Sequence, residues 1–217
     1  MDGNVRWSKK KKVDKKEGYK KGLDKIKEII ELCIENKVKF LTLFALSSEN
    51  IQRPSVNIIF DIIVNNFESF LEYVSIKNDV KVKVFGNNYG LKKNIKKIIE
   101  TIEINTKENS QLFLNVALNY GAKNEIVYCF NNLLNNKNIK NTVINEKIIR
   151  ENLYLPNTPD PDILIRTGGF QRLSNFLLFQ LSYTELFFTK TLWPDITKQE
   201  VKNIFNTYLN IERKYGL

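Results

Sequence analysis

The sequence predicts a single α/β domain over residues 1–217, in which helices flank a mostly parallel sheet. Two observations favour this fold. Short apolar runs rich in β-branched and aromatic residues alternate with longer stretches of helical periodicity, and polar segments follow directly after several of the runs. Ligands bind outside the carboxyl ends of the strands in open parallel sheets, so we expect these polar segments to form the functional site.

The first half of the chain contains three predicted helices and two predicted strands. Apolar residues recur at helical spacing over 22–35, and the almost wholly apolar run 38–46 predicts a buried central strand. Pro54 opens a helix of about twenty residues. Strict alternation over 80–86 predicts a strand near the sheet edge, and 91–104 has the amphipathic pattern of a helix.

The second half of the chain continues the alternation. Its predicted elements are, in order, strand 112–121, helix 123–134, polar loop 135–141, helix 144–154, strand 162–167, apolar helix 174–184, strand 185–189 and closing helix 197–216. Thr197 is the expected N-cap of the closing helix, with Glu200 completing a capping box.

The composition is that of a globular domain with an excess of lysine. Hydrophobic residues make up 42% and charged residues 27%, and the net charge is +10. The positive excess reflects either a solvated surface or an anionic partner, which would be nucleic acid, anionic lipid or a diphosphate. Neither a membrane span of about 18 apolar residues nor a signal peptide is predicted.

The chain contains no histidine, which limits the catalytic mechanisms and the metal sites that it can form. Ser–His and Cys–His nucleophilic mechanisms and histidine-ligated zinc are excluded. Cys33 and Cys129 lie in apolar helical patterns and are predicted to be buried free thiols, as in a reducing compartment. Any metal is therefore expected to be a hard cation held by carboxylates and substrate oxygens, with Mg²⁺ the first candidate.

The segment RTGGFQRLSNF, residues 166–176, is the strongest candidate for an anion site. Arg166 and Arg172 flank a Gly-Gly turn that leads into a predicted helix beginning near Ser174. Two guanidinium forks, exposed backbone N–H groups and a helix N-terminus together suit a phosphate. The alternative is an ordinary strand–helix turn with surface arginines.

Three weaker features also carry chemistry. SSENIQRP, residues 47–54, places hydroxyls, a carboxylate, an amide and Arg53 after a buried strand. A loop that only caps the next helix would have a similar composition, because Ser and Asn favour cap positions. In MDGNVR, Asp2 and Arg6 could hold Mg²⁺ and a diphosphate, although most Asp-Gly-Asn segments are turns. Glu185 is a carboxylate in an apolar segment, which indicates an ion pair, a metal or an edge-strand surface position.

The nucleotide-binding motifs GxxxxGK[ST] and GxGxxG are missing, as is an aspartate-rich DDxxD stretch. Instead the chain resembles the cis-prenyltransferase family, the undecaprenyl and dehydrodolichyl diphosphate synthases. The resemblance spans residues 1–217 and rests on MDGNxRW, GxKxG, LTLxAxSSEN…RP, LNxAxNYG, DxLIRTGGxQRLSNFLLxQxSYTELFFT…LWPD and ERKYG. Of these, RTGG…QRLSNF…LWPD is the most specific.

The resemblance implies a fold, an activity and partners. The family fold is a six-stranded parallel sheet flanked by helices, in a homodimer or a heteromer with a related subunit. Its members condense isopentenyl diphosphate onto an allylic, farnesyl-type diphosphate with Z stereochemistry, assisted by Mg²⁺. The resulting long-chain polyprenyl diphosphate serves dolichol or undecaprenol carrier-lipid synthesis.

The resemblance also implies roles for individual residues. Asp2 matches the aspartate that positions Mg²⁺, Asn50 the proton acceptor and Glu185 the second metal-associated carboxylate. Arg166, Arg172 and Ser174 match the clamp for isopentenyl diphosphate. The expected substrate-binding residues are Gly3, Asn4, Val5, Arg6, Trp7, Lys15, Tyr19, Ser47, Ser48, Glu49, Ile51, Arg53, Arg166, Arg172, Leu173 and Ser174.

Four positions depart from the family pattern. Tyr19 replaces a histidine, Ile51 a Trp or Phe, Phe170 a glutamate and Lys214 an arginine. Lysine keeps the charge of arginine but loses its planar fork. The alternative to an active enzyme is therefore a weakly active or non-catalytic subunit of a heteromer, although the retained site residues favour an active enzyme.

Three further expectations concern the N-terminal strand, the location of the protein in the cell and nucleic acid as a partner. In the family a buried strand leads directly into the loop that begins at Asp2, so the sheet is expected to lack this N-terminal strand. We expect a cytoplasmic protein, peripheral at a membrane such as the endoplasmic reticulum through transient surface contact. Nucleic acid is not an expected partner, because the aromatic residues lie in apolar patterns rather than within a basic stripe.

Overall fold

Helices and parallel strands alternate along the chain, which confirms the predicted fold class. The computed structural model describes residues 1–53, 55–136 and 143–212, with Lys77 described by its backbone alone. The described elements are α1 (Asn4–Lys11), α2 (Lys15–Glu35), β1 (Phe40–Ser47), α3 (Val56–Glu72), β2 (Val80–Phe85), α4 (Lys93–Asn105), β3 (Leu112–Tyr120), α5 (Ala122–Asn135), α6 (Glu146–Glu151), β4 (Ile163–Arg166), β5 (Glu185–Phe188) and α7 (Lys198–Leu209). A π-helical turn, Tyr73–Lys77, extends α3, and a 3-10 turn, Trp193–Asp195, precedes α7.

The described strands form two parallel sheets. The first has the order β1-β3-β2, and the second pairs β4 with β5. β2 lies at an edge, as predicted for 80–86. The prediction of a central strand over 38–46 is wrong, because β3 takes the middle position and pairs with both neighbours. Within the described residues, five strands in two sheets replace the six-stranded sheet that the resemblance implies.

The main core lies between the first sheet and the helices that cover it. Ile30 and Leu32 of α2 and Leu112 and Leu114 of β3 are fully buried in one cluster. Cys33 belongs to the same cluster. Burial raises the pKa of the Cys33 thiol to about 12, so this side chain behaves as an apolar core residue.

The predicted buried free thiols are confirmed at both cysteines. Cys129 of α5 packs in a smaller cluster with Leu133 and Leu153. Burial and the neighbouring Glu125 carboxylate raise the pKa of the Cys129 thiol. Neither cysteine is therefore a reactive thiolate near neutral pH.

The predicted apolar helix over 174–184 is wrong. Ser174, Asn175 and Leu177 have φ angles of 52°, 63° and 45°, which a right-handed helix cannot accommodate. The chain instead passes through successive turns that place Leu177 and Leu181 in a cluster beside β3 and β4. The regular spacing of apolar residues in this segment therefore indicates that they are buried, and it does not indicate a helix.

Helix boundaries differ from the predictions at the N-terminal end of the chain. α1 was not predicted at all, and α2 begins at Lys15 instead of residue 22. The side chain of Asp14 caps α2 by accepting a hydrogen bond from the Lys16 N–H at 2.7 Å. A Cβ at Gly18 would lie 2.2 Å from Ser8 Oγ, so the glycine allows α1 to pack directly against α2.

The closing helix α7 is capped by Thr197, whose side chain accepts from the Glu200 N–H, as predicted. The Glu200 carboxylate accepts from the Thr189 hydroxyl. Predictions that involve Pro54, the centre of the loop 135–141 and Lys214 lie outside the described residues. Within the described ranges, no helix combines the length and apolarity needed to cross a bilayer.

Candidate active site

Asp2 is held between the two sheets by its backbone. Its N–H donates to Thr167 Oγ1 at 3.2 Å, and its carbonyl accepts from the Thr167 hydroxyl at 3.0 Å and from the Trp193 N–H at 3.0 Å. Thr167 directly follows β4, and Met1 lies beside Phe44 of β1. These contacts fix the Asp2 main chain, while 38% of its side-chain surface stays exposed.

The Asp2 carboxylate joins two arginines from distant parts of the chain. Arg6 Nη2 lies 3.1 Å from Asp2 Oδ1, and Arg166 Nη2 lies 3.3 Å from Asp2 Oδ2. Arg6 Nη1 also donates to the Gly168 carbonyl at 2.6 Å. A Cβ at Gly168 would lie 2.4 Å from Arg6 Nη2, so glycine is required for this approach. Arg6 and Arg166 thus face one carboxylate that solvent can reach.

The N-terminus of α1 lies at the same place. Gly3 has φ 115°, and its carbonyl accepts the first helical hydrogen bond, from the Trp7 N–H at 2.8 Å. The N–H groups of residues 4–6 precede that bond and bring the positive end of the helix dipole next to Asp2. The anion site therefore gains a helix N-terminus from α1, in place of the helix that was predicted to begin near Ser174.

Arg166, Arg172 and Ser174 come together as the resemblance implies. Arg166 Nη1 donates to Ser174 Oγ at 2.8 Å and to the Arg172 carbonyl, and Arg172 Nε donates to Ser174 Oγ at 3.3 Å. Arg166 Nε is buried and has no hydrogen-bond partner in the described part of the chain. Asp2 therefore pairs with two of the three arginines, whereas Arg172 bonds the neutral Ser174 hydroxyl, which leaves the site positively charged and suited to phosphate.

The turn after β1 approaches this cluster from the other side. Glu49 Oε1 accepts from Asn175 Nδ2 at 2.7 Å. Burial of Glu49 opposes its ionisation, but hydrogen bonds from Asn175, from its own backbone and from Ser47 and Ser48 outweigh this effect. The pKa of the Glu49 carboxyl therefore lies below its usual value, and Glu49 is ionised at neutral pH.

Asn175 connects three segments that follow strands. Its backbone carbonyl accepts from the Ala122 N–H at 2.8 Å, and its Oδ1 accepts from the Lys123 N–H at 2.9 Å. The same side chain bonds Glu49. Because Asn175 follows Ser174 directly, it fixes the arginine loop against the carboxyl ends of β1 and β3.

We expect Gly121→Ala to lower both the stability of the fold and the turnover supported by the site. The new Cβ would lie 2.5 Å from Ser48 Oγ and 2.6 Å from Asn175 Nδ2. Relieving this overlap should cost about 1–3 kcal/mol of unfolding free energy and displace the two loops. Urea unfolding and steady-state turnover measure the two effects. Asp24→Ala, at an exposed position of α2, is the control; equal losses in both variants would contradict the steric explanation.

The other predicted binding residues are distributed around this cluster. Asn4 Oδ1 is buried without a hydrogen-bond partner in the described chain, whereas Trp7 Nε1 donates to Asp195 Oδ1 at 2.7 Å. Asn50 and Arg53 lie in the turn region after β1. Val5 lies in α1, Lys15 is exposed at the start of α2, Tyr19 is half-buried in α2, and Ile51 and Leu173 pack against apolar clusters.

Glu185 is not brought together with Asp2. It is the first residue of β5 and pairs with Ile163, whereas Arg166 pairs with Phe188. The Glu185–Ile163 pair and the Phe188–Arg166 pair are three residues apart along the strands, which corresponds to roughly 10 Å. The described residues also contain no group of three His, Cys, Asp or Glu side chains able to hold a metal. Asp2 is thus the carboxylate at the arginine cluster.

Sequence reasoning missed several residues that build the site. Thr167 anchors Asp2, Asn175 fixes the arginine loop, and Asp195 holds Trp7. Gly121 could have been identified, because it ends the predicted strand 112–121 and occurs in NYG. The other three lie in the motifs RTGG, QRLSNF and LWPD, but neither the motifs nor local periodicity shows which distant segment each residue contacts.

The sequence is similar to known proteins along its whole length. The undecaprenyl diphosphate synthase family model matches residues 1–216. An isoprenyl transferase of Aquifex aeolicus is 38% identical, covering 100% of this chain and 93% of that protein. A tritrans,polycis-undecaprenyl-diphosphate synthase (geranylgeranyl-diphosphate specific) of Pyrococcus furiosus is also 38% identical, covering 100% of this chain and 84% of that protein.

Two solved structures share the fold. The lavandulyl diphosphate synthase of Lavandula x intermedia, in complex with dimethylallyl diphosphate, superposes with a TM-score of 0.93 at 27% identity and covers 100% of this chain and 95% of that one. A probable undecaprenyl diphosphate synthase of Campylobacter jejuni gives a TM-score of 0.81 at 34% identity, covering 91% of this chain and 93% of that one.

Proposed function

Since this chain belongs to the undecaprenyl diphosphate synthase family and is a prenyltransferase, we propose that it condenses isopentenyl diphosphate onto an allylic, farnesyl-type diphosphate with Z stereochemistry. The product is a long-chain polyprenyl diphosphate for the synthesis of a carrier lipid, undecaprenol or dolichol. The observation that carries the proposal is the pairing of Arg6 and Arg166 with Asp2 at the N-terminus of α1, with Arg172 joined to Arg166 through Ser174.

The charges at this site suit the reaction. Cleavage of the allylic C–O bond leaves negative charge on a diphosphate, which Arg6 and the N–H groups at the start of α1 are placed to stabilise. The second diphosphate needs its own clamp, for which Arg166, Arg172 and Ser174 provide donors. Holding both substrates together lowers the entropic cost of the condensation. Asn50, in the turn after β1, is the proposed proton acceptor.

The residues present fit Mg²⁺ held largely by substrate. This cation commonly takes one or two protein carboxylates together with substrate phosphates. Asp2 offers one partly exposed carboxylate within the arginine cluster, so Asp2 is the residue that would hold the ion. When bound, Mg²⁺ supplies neutralisation of the leaving diphosphate. Glu185, which pairs with Ile163 at the start of β5, is the proposed second metal-associated carboxylate.

The test is product formation by the purified chain with isopentenyl diphosphate, farnesyl diphosphate and Mg²⁺. We expect products of many isoprene units by reversed-phase chromatography, with Z double bonds by NMR. A product of a single condensation would contradict chain elongation. Product that forms only after a second family member is added would favour the non-catalytic subunit.

A homodimer through β5 is the proposed assembly. In the described chain β5 pairs only with β4, and its Leu186 and Phe188 side chains are 44% and 36% exposed. An open strand edge with apolar side chains is suited to pairing with a second copy around a two-fold axis.

We expect the double variant Leu186→Asp and Phe188→Asp to convert a dimer into a monomer, because charges would be buried unpaired at the contact. Light scattering after size-exclusion chromatography measures the mass. The control is Val64→Asp, which changes an exposed apolar residue, 39% accessible, on α3. A monomeric unmodified chain, or a dimeric double variant, would rule out this interface.

A lysine-rich surface on α1 and α2 supports contact with an anionic membrane. Residues 9–21 contain eight lysines against two acidic residues, Asp14 and Glu17. The lysines Lys9, Lys10, Lys11, Lys12, Lys15, Lys16, Lys20 and Lys21 are all exposed. Val13, between the two helices, is 43% exposed. Lysine clusters of this size bind anionic lipid headgroups.

The triple variant Lys10→Gln, Lys11→Gln and Lys12→Gln should bind vesicles at least about 10-fold more weakly, since each lysine near an anionic surface contributes about 1 kcal/mol. Co-sedimentation with phosphatidylcholine vesicles containing phosphatidylglycerol measures binding. The matched control removes three exposed lysines of α4, Lys93, Lys96 and Lys97. Equal binding by both triple variants would exclude a specific role for the α1–α2 surface.

A further inference from the structure

Phe170 lies at the centre of the arginine cluster. The Cζ atoms of Arg172, Arg6 and Arg166 lie 4.2, 4.9 and 5.9 Å from the centroid of its ring. The side chain is 40% exposed, so it does not serve mainly as a core residue. Arg6 comes from α1, Arg166 is the last residue of β4 and Arg172 lies in the segment after β4, so the ring is a neighbour common to both parts of the site.

The backbone conformation of the Gly168–Gly169 turn places the Phe170 ring at this position. Gly168 and Gly169 have φ angles of 90° and 83°, a left-handed conformation that L side chains rarely adopt. The two glycines turn the chain sharply after Thr167, and the Gly168 carbonyl accepts from Arg6 Nη1 at 2.6 Å. Phe170 is the next residue, so the same turn places both a carbonyl and an aromatic ring against Arg6.

The hydrogen bonds leave the positive charge of the cluster incompletely balanced. Asp2 faces Arg6 and Arg166, but the side-chain hydrogen bond described for Arg172 goes to the neutral Ser174 hydroxyl. Three guanidinium groups near one carboxylate repel each other. An aromatic ring attracts cations through its quadrupole and accepts no charge from them. The ring can therefore hold the guanidinium groups together without neutralising them or occupying their N–H donors.

We infer that Phe170 is a positioning residue that gathers Arg6, Arg166 and Arg172 for diphosphate. The inference rests on the proposed function only in naming the substrate as a prenyl diphosphate; the binding of inorganic diphosphate tests it separately. A carboxylate at this position would instead pair with an arginine and lower the net positive charge of the cluster. The ring keeps the cluster oriented and leaves its full positive charge available to the ligand.

Phe170→Leu removes the aromatic face at similar volume. We expect this variant to bind inorganic diphosphate about 5- to 10-fold more weakly in isothermal titration calorimetry, with an unchanged melting temperature.

In turnover assays KM for isopentenyl diphosphate should rise by a similar factor while kcat changes less than about two-fold. Phe170→Tyr retains the ring and should restore both values. The matched control is Phe130→Leu, an exposed phenylalanine on α5, 54% accessible.

Diphosphate affinity of Phe170→Leu within two-fold of the unmodified chain would overturn the positioning role. Equal weakening in Phe170→Tyr would also overturn it, because the aromatic face would then not be the cause. If the unmodified chain binds diphosphate in a Phe170-dependent manner but forms no prenyl product, the positioning role stands and the proposed function fails. If product forms and Phe170→Leu behaves like the unmodified chain, the function stands and the positioning role fails.

Discussion

Asp2→Ala should lower kcat of prenyl transfer by at least about 100-fold, the range seen when a single preorganised electrostatic group is removed from an active site. The Asp2 carboxylate lies 3.1 Å from Arg6 and 3.3 Å from Arg166, and we propose it as the ligand of Mg²⁺. Without it the two guanidinium groups lose their common partner. Asp2→Asn should lose nearly as much activity, because an amide preserves the shape but carries no charge.

Steady-state turnover with farnesyl diphosphate, isopentenyl diphosphate and Mg²⁺ measures this effect. Asp24→Ala, which removes an exposed carboxylate of α2, is the control and should retain full activity. Thermal melting separates a chemical defect from unfolding, since the backbone hydrogen bonds of Asp2 to Thr167 and Trp193 do not depend on its side chain. Undiminished turnover of Asp2→Ala would refute the site.

Arg166→Lys should lower kcat/KM for isopentenyl diphosphate by about 10- to 100-fold, equivalent to the loss of about one charge-assisted hydrogen bond. The Arg166 side chain is only 14% exposed and reaches Asp2, Ser174 and the Arg172 carbonyl at once. A planar fork can satisfy these divergent acceptors at once, whereas an ammonium group is a single point of charge. Arg166→Ala should lose about 1000-fold, since the positive charge is lost as well.

Arg150→Lys is the matched control for this substitution. Arg150 also forms a two-pronged contact, with the Asp160 oxygens at 2.7 and 2.6 Å, but it lies on α6 away from the arginine cluster. Its replacement should leave kcat/KM unchanged. Equal effects of Arg150→Lys and Arg166→Lys would mean that loss of an arginine fork acts through stability and not through substrate binding.

Helices and strands were predicted correctly where a segment showed one clear helical or strand periodicity. The strands β2, β3, β4 and β5 and the helices α4 and α5 lie close to their predicted ranges. The segment 174–184 misled prediction because its apolar residues face the core from successive turns. α1 was missed because NVRWSKKK has almost no apolar stripe, and its helix is stabilised by packing on Gly18 and Gly22 of α2.

The site was predicted in its charged parts and missed in its supporting contacts. Arg166, Arg172 and Ser174 lie within one segment, and their clustering was expected from that proximity. The ion pairs of Asp2 with Arg6 and Arg166 were not predicted, because Asp2 and Arg166 are 164 residues apart. The anchoring roles of Thr167 and Asn175 depend equally on contacts between distant segments.

By itself the sequence determined the α/β class, the buried free cysteines, the exclusion of histidine chemistry and the residues able to hold phosphate. These follow from composition and from periodicity within single segments. Tertiary structure alone decided which strand is central, that α1 and not residues 174–184 offers a helix N-terminus, and that Glu185 lies a strand length from Asp2. The physical reason is that each of these depends on hydrogen bonds and packing between segments far apart in the chain, which local patterns do not encode.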